Sequence, residues 1–145
     1  MIKEINKIRL IVHTIDFVKY LTEEQLYTAT KKFITPQTKI IGVSTTFLAY
    51  AVETWSDGTQ NFFPEHVIKV VEMLKSEFPK IKFILGGYGS EFLYGYGLWD
   101  ASIMSYTEAT EDIFLEYLRY LDKQNPEPKF KLLRDYYLSE ASAAR

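Results

Sequence analysis

The sequence predicts an α/β domain in which a parallel sheet carries helices on both faces. Short apolar runs at residues 9–15, 39–46 and 81–85 read as buried strands, because they are brief and rich in β-branched and aromatic residues. Amphipathic stretches at 22–33, 64–78 and 110–121 carry apolar residues at helical spacing. Strand alternates with helix, the arrangement of successive βαβ units with right-handed crossovers. The class is doubly wound and flavodoxin-like.

Taken in order, Ile2, Ile5 and Ile8 stand three residues apart, which predicts one or two turns of helix over residues 1–8. Residues 9–15, Arg-Leu-Ile-Val-His-Thr-Ile, predict a buried strand ending near Asp16. Thr22 with Gln25 three positions on is a capping box, and Glu23 and Glu24 suit a first helical turn. That helix runs to Phe33, turns Leu26, Ala29 and Phe33 inward, and is broken at Thr35-Pro36-Gln37. Lys39-Ile-Ile-Gly-Val-Ser-Thr-Thr is a strand that becomes polar at its carboxyl end. Residues 47–63 are irregular, with a turn signal at Trp55-Ser56-Asp57-Gly58. Pro64 near a first helical position opens a helix with Val67, Val70, Val71, Leu74 and Phe78 on one face.

The run from Ile81 to Leu85 then predicts the strand around which the chain is organised, stopping at Gly86-Gly87 with Gly89 beyond. Residues 91–99 are aromatic and glycine-rich, 101–106 a short last strand, and 110–121 a helix presenting Ile113, Phe114, Tyr117, Leu118 and Leu121. Asn125-Pro126-Glu127-Pro128 reads as a linker, so the domain spans residues 1–124 and a tail, with room for a short helix, spans 125–145.

Composition narrows the function. The chain has 145 residues, 47% of them hydrophobic, enough for one domain with a real core. A net charge of −2 gives no basic field and argues against nucleic acid as a partner. With no cysteine there are no disulfides, thiolate nucleophiles, iron–sulfur ligands or cysteine-held zinc. No apolar run approaches a membrane span and the amino terminus has no signal-peptide core, so the expectation is a cytoplasmic domain without membrane contact.

In a parallel sheet, ligands sit at the carboxyl ends of the strands. Three such ends are readable: Ser44-Thr45-Thr46, Gly86-Gly87 with Tyr88, and Ser105-Tyr106-Thr107-Glu108. Their hydroxyls and glycines suit a polar ligand edge, and serve equally well as local turns and caps. Glu108, Glu111 and Asp112 read as dipole partners of a helix start rather than a metal cluster. His13 reads as a hydrogen-bonded core residue rather than a metal ligand, and His66 as a solvated residue. Tyr94, Tyr96 and Trp99 are candidates for stacking on a planar ligand, for docking a partner, or for packing over the sheet end, where Phe47, Phe62 and Phe63 join them. No catalytic or metal-ligating set is visible.

The order Lys39-Ile-Ile-Gly-Val-Ser-Thr-Thr, a helix ending Phe78-Pro79, Ile81-Lys-Phe-Ile-Leu-Gly-Gly and Asp100-Ala-Ser-Ile-Met-Ser-Tyr resembles the cobalamin-binding domain ahead of the barrel in radical S-adenosylmethionine enzymes. The likeness covers residues 15–121. It implies that Ser44 and Thr46, with Thr45 between them, lie near the corrin or its nucleotide tail. Gly86 and Gly87, beside Tyr88, would let the tail approach, and Ser105, Tyr106 and Thr107 would flank it. Two departures stand out. The cobalt-ligating Asp-x-His-x-x-Gly is missing, since His13-Thr14-Ile15-Asp16 has the wrong order, and the family's Gly-Glu-Gly-Glu is Tyr106-Thr107-Glu108-Ala109 here. The family's first strand and helix normally precede the strand matched at His13 to Asp16, so the resemblance implies a sheet lacking its usual first strand. The iron–sulfur cluster and S-adenosylmethionine would belong to a parent enzyme. The chain is then a corrinoid-binding accessory domain that is not itself catalytic. The alternative is a non-binding domain of the same fold that acts in protein interaction, as a homodimer through an unpaired sheet edge or the aromatic patch.

Overall fold

The computed structural model describes residues 2–5, 8–46, 52–61, 63–87, 97–104 and 110–122. In chain order these form β1 (Ile2–Ile5), β2 (Ile8–Ile11), a 3-10 turn (Val18–Tyr20), α1 (Glu23–Phe33), β3 (Ile40–Ser44), β4 (Glu53–Thr54), β5 (Gln60–Asn61), α2 (Glu65–Glu77), β6 (Lys82–Gly87), β7 (Ala101–Met104) and α3 (Thr110–Leu121). The protein is a mixed α/β structure built on a parallel three-stranded sheet of order β3-β6-β7, with two separate antiparallel strand pairs, β1-β2 and β4-β5.

The amino-terminal expectation is corrected. Residues 2–5 and 8–11 form a hairpin, with Ile2 opposite Ile11 and Ile5 opposite Ile8. Isoleucine is β-branched and favours strand, which outweighs a three-residue spacing that also fits a helix. The strand expected over residues 9–15 therefore ends at Ile11, lies outside the parallel sheet and leaves Ile11 71% exposed. Residues 12–17 have no regular structure.

The helices follow their sequence signals. Thr22 caps α1 reciprocally: the Gln25 N–H donates to Thr22 Oγ1 at 3.1 Å, and the Thr22 N–H to Gln25 Oε1 at 3.0 Å. Leu26 is buried as expected, but Phe33 is 42% exposed and stacks on His13 with centroids 4.6 Å apart. Phe33 stands at the last turn of α1, beyond the reach of the core. α2 buries Val67, Ile68, Val70, Val71 and Leu74, and its Glu77 carboxylate accepts from Tyr27 and pairs with Lys31 at 2.8 Å, tying α2 to α1.

Side-chain alternation along β6 explains the two cores. Phe83 and Leu85 point to one face, where they join α1 and α2 together with Ile41 and Val43. Ile84 points to the other, where it meets Ala101, Ile103 and Tyr117 of α3. Asp100 closes the lower end of the sheet: the Phe83 N–H donates to Asp100 Oδ2 at 2.9 Å, and the Asp100 N–H donates to the Phe83 carbonyl at 2.8 Å. β6 also runs two residues past the expected stop. Gly86 and Gly87 both remain in register, opposite Ser44 and Met104 respectively. Among the described residues no helix is long and apolar enough to cross a membrane.

Because Phe83 is fully buried between the sheet and α2, Phe83→Ala is expected to cost about 3–5 kcal/mol, read as a lower urea midpoint with an unchanged slope.

Candidate functional site

The register brings two of the three expected strand ends together. Ser44 stands opposite Gly86, and Gly87 opposite Met104. Tyr88, Ser105, Tyr106 and Thr107 lie outside the described residues, as do the side chains of Glu108, Glu111 and Asp112.

Thr45 is a clamp of the sheet end. It is 1% exposed, and both its N–H (2.7 Å) and its Oγ1 hydroxyl (3.1 Å) donate to the Gly86 carbonyl. The Thr46 N–H in turn donates to Ser44 Oγ at 3.3 Å. This loop sits directly on Gly87, whose φ is +96° and whose missing Cβ would stand 2.6 Å from Thr46 Oγ1 and 3.0 Å from Thr45 Oγ1. Glycine is required there by the chain's own loop, because Thr45 and Thr46 occupy the side of Gly87 on which a Cβ would stand, while Gly87 itself still lines a groove along the sheet.

Open space lies one step down the same strands. Among the described residues, a Cβ at Gly86 would meet only the Ile103 carbonyl oxygen at 3.7 Å, and one at Gly42 would meet nothing within 4 Å. Both glycines lie on the α3 side of the sheet, in the same alternation as Ile40 and Ile84. They line a groove of about 350 Å³ together with Ile40, Val43, Ser44, Ile84, Gly87, Ile103 and Phe114. Its lining is largely apolar, with Ser44 as its hydroxyl-bearing residue. Gly42 was not among the expected site residues. The signal for it was a lone glycine inside an otherwise β-branched strand, a usual mark of close approach by another body.

The remaining candidates fall elsewhere. His13 is exposed and stacked on Phe33 rather than in the core, because its strand ends at Ile11, and His66 is half-buried with Nε2 2.8 Å from the Val18 carbonyl rather than solvated. Trp99 and Phe63 are both buried in the α1–α2 core, so packing claims them. The Trp99 indole N–H is buried there without a hydrogen-bond partner among the described residues. Among the described residues no three His, Cys, Asp or Glu side chains cluster as a metal site. Shifted carboxyls lie away from the groove, at the β4–β5 turn and the ends of α2. Hydrogen bonds from Thr59, from Ser56 and from Lys31 hold Asp57, Glu65 and Glu77 respectively below the usual carboxylate range.

Tyr117, which anchors α3 behind the groove wall, is pushed up to about 12 by burial, with the charges of Asp100 and Tyr120 adding to it. An unfolded tyrosine releases its proton near 10, so the folded state keeps this proton longer. Its contribution to stability is complete below pH 10 and is lost as pH rises towards 12. A series of melts from pH 9 to 12 is expected to show this loss, and Tyr117→Phe to flatten it. Gly87→Ala is expected to destabilise by about 1–3 kcal/mol, from its positive φ and its clash with Thr46, while Gly42→Ala keeps the wild-type melting temperature or raises it. Compared with known families, curated proteins and solved structures, the chain matches no family model, no curated protein and no solved structure.

Proposed function

We propose that the chain is a flavodoxin-like corrinoid-binding domain, the accessory module of a radical S-adenosylmethionine enzyme, with no catalysis of its own. One observation carries this reading: an apolar groove lined by Gly42 and Gly86 extends along the sheet to Ser44, at the carboxyl end of β3. Backbone floors of this kind admit a flat group closer than any side chain would allow.

The residues present suit the nucleotide tail of cobalamin better than they suit its metal. Ile84, Ile103 and Phe114 offer apolar walls for an aromatic base, Gly42 and Gly86 leave room beneath it, and Ser44 provides a hydroxyl for a sugar or phosphate oxygen. Neither histidine lines the groove, so the reading asks for a corrinoid held without a protein imidazole on cobalt. When bound, cobalamin supplies a cobalt centre for one-carbon transfer. This chain's part is to hold the tail and to keep water from the apolar groove. With no cysteine in the sequence, an iron–sulfur cluster and the S-adenosylmethionine it activates would be held by a parent enzyme. A cytoplasmic location goes with this reading.

Titration with hydroxocobalamin, followed by gel filtration and visible absorbance, tests it. The expected result is coloured protein at one corrinoid per chain, with Gly42→Leu binding at least tenfold more weakly while melting as wild type. Ser44→Ala should weaken binding less. Protein that stays colourless at high cobalamin overturns the reading and leaves the non-binding alternative.

A further inference from the structure

The strand β3 has the sequence of an interior strand and the position of an edge strand. Its run Ile40-Ile41-Gly42-Val43-Ser44 carries no charge and no proline, the usual devices that protect an edge. Gly42 and Ser44 are exposed there. The Lys82 N–H donates to the Lys39 carbonyl at 2.9 Å and the Thr45 N–H donates to the Gly86 carbonyl at 2.7 Å. Along a parallel ladder every second residue turns its N–H and C=O to the same neighbour, so Lys39, Ile41, Val43 and Thr45 serve β6. The N–H and C=O groups of Ile40, Gly42 and Ser44 face the other way, and no described strand pairs with them.

That outward row is symmetric about Gly42, and its symmetry selects the occupant. A two-fold axis beside Gly42, perpendicular to the sheet, lays a second β3 antiparallel to the first. Gly42 then stands opposite Gly42 of the second copy, and Ile40 opposite Ser44 of the second copy. In an antiparallel pair, the residues that exchange both bonds recur at every second position. Here those positions are Ile40, Gly42 and Ser44, so each outward N–H and C=O of one edge meets its complement on the other. A register shifted by one residue fails, because it sets an outward residue against one already bonded to β6. The side chains favour the same register. Ile41 comes opposite Val43 of the second copy on the α1–α2 face, a β-branched cross-strand pair. Lys39 comes opposite Thr45 of the second copy, so like charges do not meet. At the axis the two glycines leave no side chain between the strands.

We propose that the open edge of β3 pairs with the same edge of a second copy of this chain, antiparallel and centred on Gly42, joining two three-stranded sheets into one. The pairing does not rest on corrinoid binding. Because the axis preserves the faces of the sheet, it sets the grooves of the two copies side by side.

Sedimentation of the full chain across a dilution series, with residue-resolved amide exchange at each concentration, tests it. The expected result is a dimer mass that grows with concentration, and slowing of the Ile40, Gly42 and Ser44 amides in step with it. The Ile41 and Val43 amides, bonded to β6, should be protected throughout. A Cβ at Gly42 meets no described atom within 4 Å, so Gly42→Glu and Gly42→Lys are each expected to fold. Each sets like charges opposite one another at the axis and should weaken the dimer at least tenfold, and an equal mixture of the two should restore it. A chain that stays monomeric overturns the proposal, as does a dimer that leaves the three amides fast. Protection of those amides that ignores concentration also overturns it, by assigning the edge to a segment of the same chain. So does a dimer that both charged variants leave intact, or a mixture that stays monomeric. If neither variant folds, the concentration dependence of the three amides in the unaltered chain decides alone.

Discussion

The structure depends on β6 being paired on both edges and buried on both faces. Its parallel ladder to β3 ends in two hydrogen bonds from Thr45 onto one carbonyl, that of Gly86. That clamp fixes where β3 stops and holds the Thr45–Thr46 loop against Gly87. It also places Ser44 in the lining of the groove. On one face of the ladder, Phe83 and Leu85 recruit α1 and α2; on the other, Ile84 recruits α3. A strand that serves two cores leaves little freedom in its register, because a slip of one residue would exchange the contents of those cores.

The two faces are served unequally. The α1–α2 side is closed by two helices linked through Tyr27, Lys31 and Glu77. On the opposite side Tyr117 of α3 packs on β6 and β7, Tyr120 and Leu121 join Ile40 of β3 at the edge of that cluster, and the groove is lined by residues of all three strands and Phe114. The same asymmetry that provides room for a ligand leaves the outward backbone of β3 without a described neighbour. Groove and edge are thus two aspects of one incompletely covered strand.

Much of this was legible from residue patterns. Helix α2 could be read from its Val67, Val70, Val71, Leu74 stripe, α1 from its capping box, and β3 and β6 from short β-branched runs. Illegible was whatever depends on neighbours distant in sequence. The isoleucines of residues 2–11 fit either helix or strand until pairing decides between them, and Phe33 looks inward by period but lies past the end of the packed surface. The site was half readable for the same reason. Ser44 and Gly86 were recognisable from strand-end chemistry. That Thr45 turns to a carbonyl, and that Gly87 is filled by its own loop while Gly42 is open, are facts of cross-strand geometry.

The two tryptophans sit in contrasting surroundings. The Trp55 indole N–H donates to the Phe63 carbonyl at 2.7 Å in a half-buried turn, whereas that of Trp99 is enclosed among apolar side chains with no acceptor among the described residues. An indole without a polar partner in dry surroundings emits towards the blue, and one that is hydrogen-bonded near water emits towards the red. The protein therefore carries a two-colour optical gauge on the α1–α2 side of its sheet. Loosening of that core would shift the emission of Trp99, whereas events confined to the groove on the opposite face would leave it almost still.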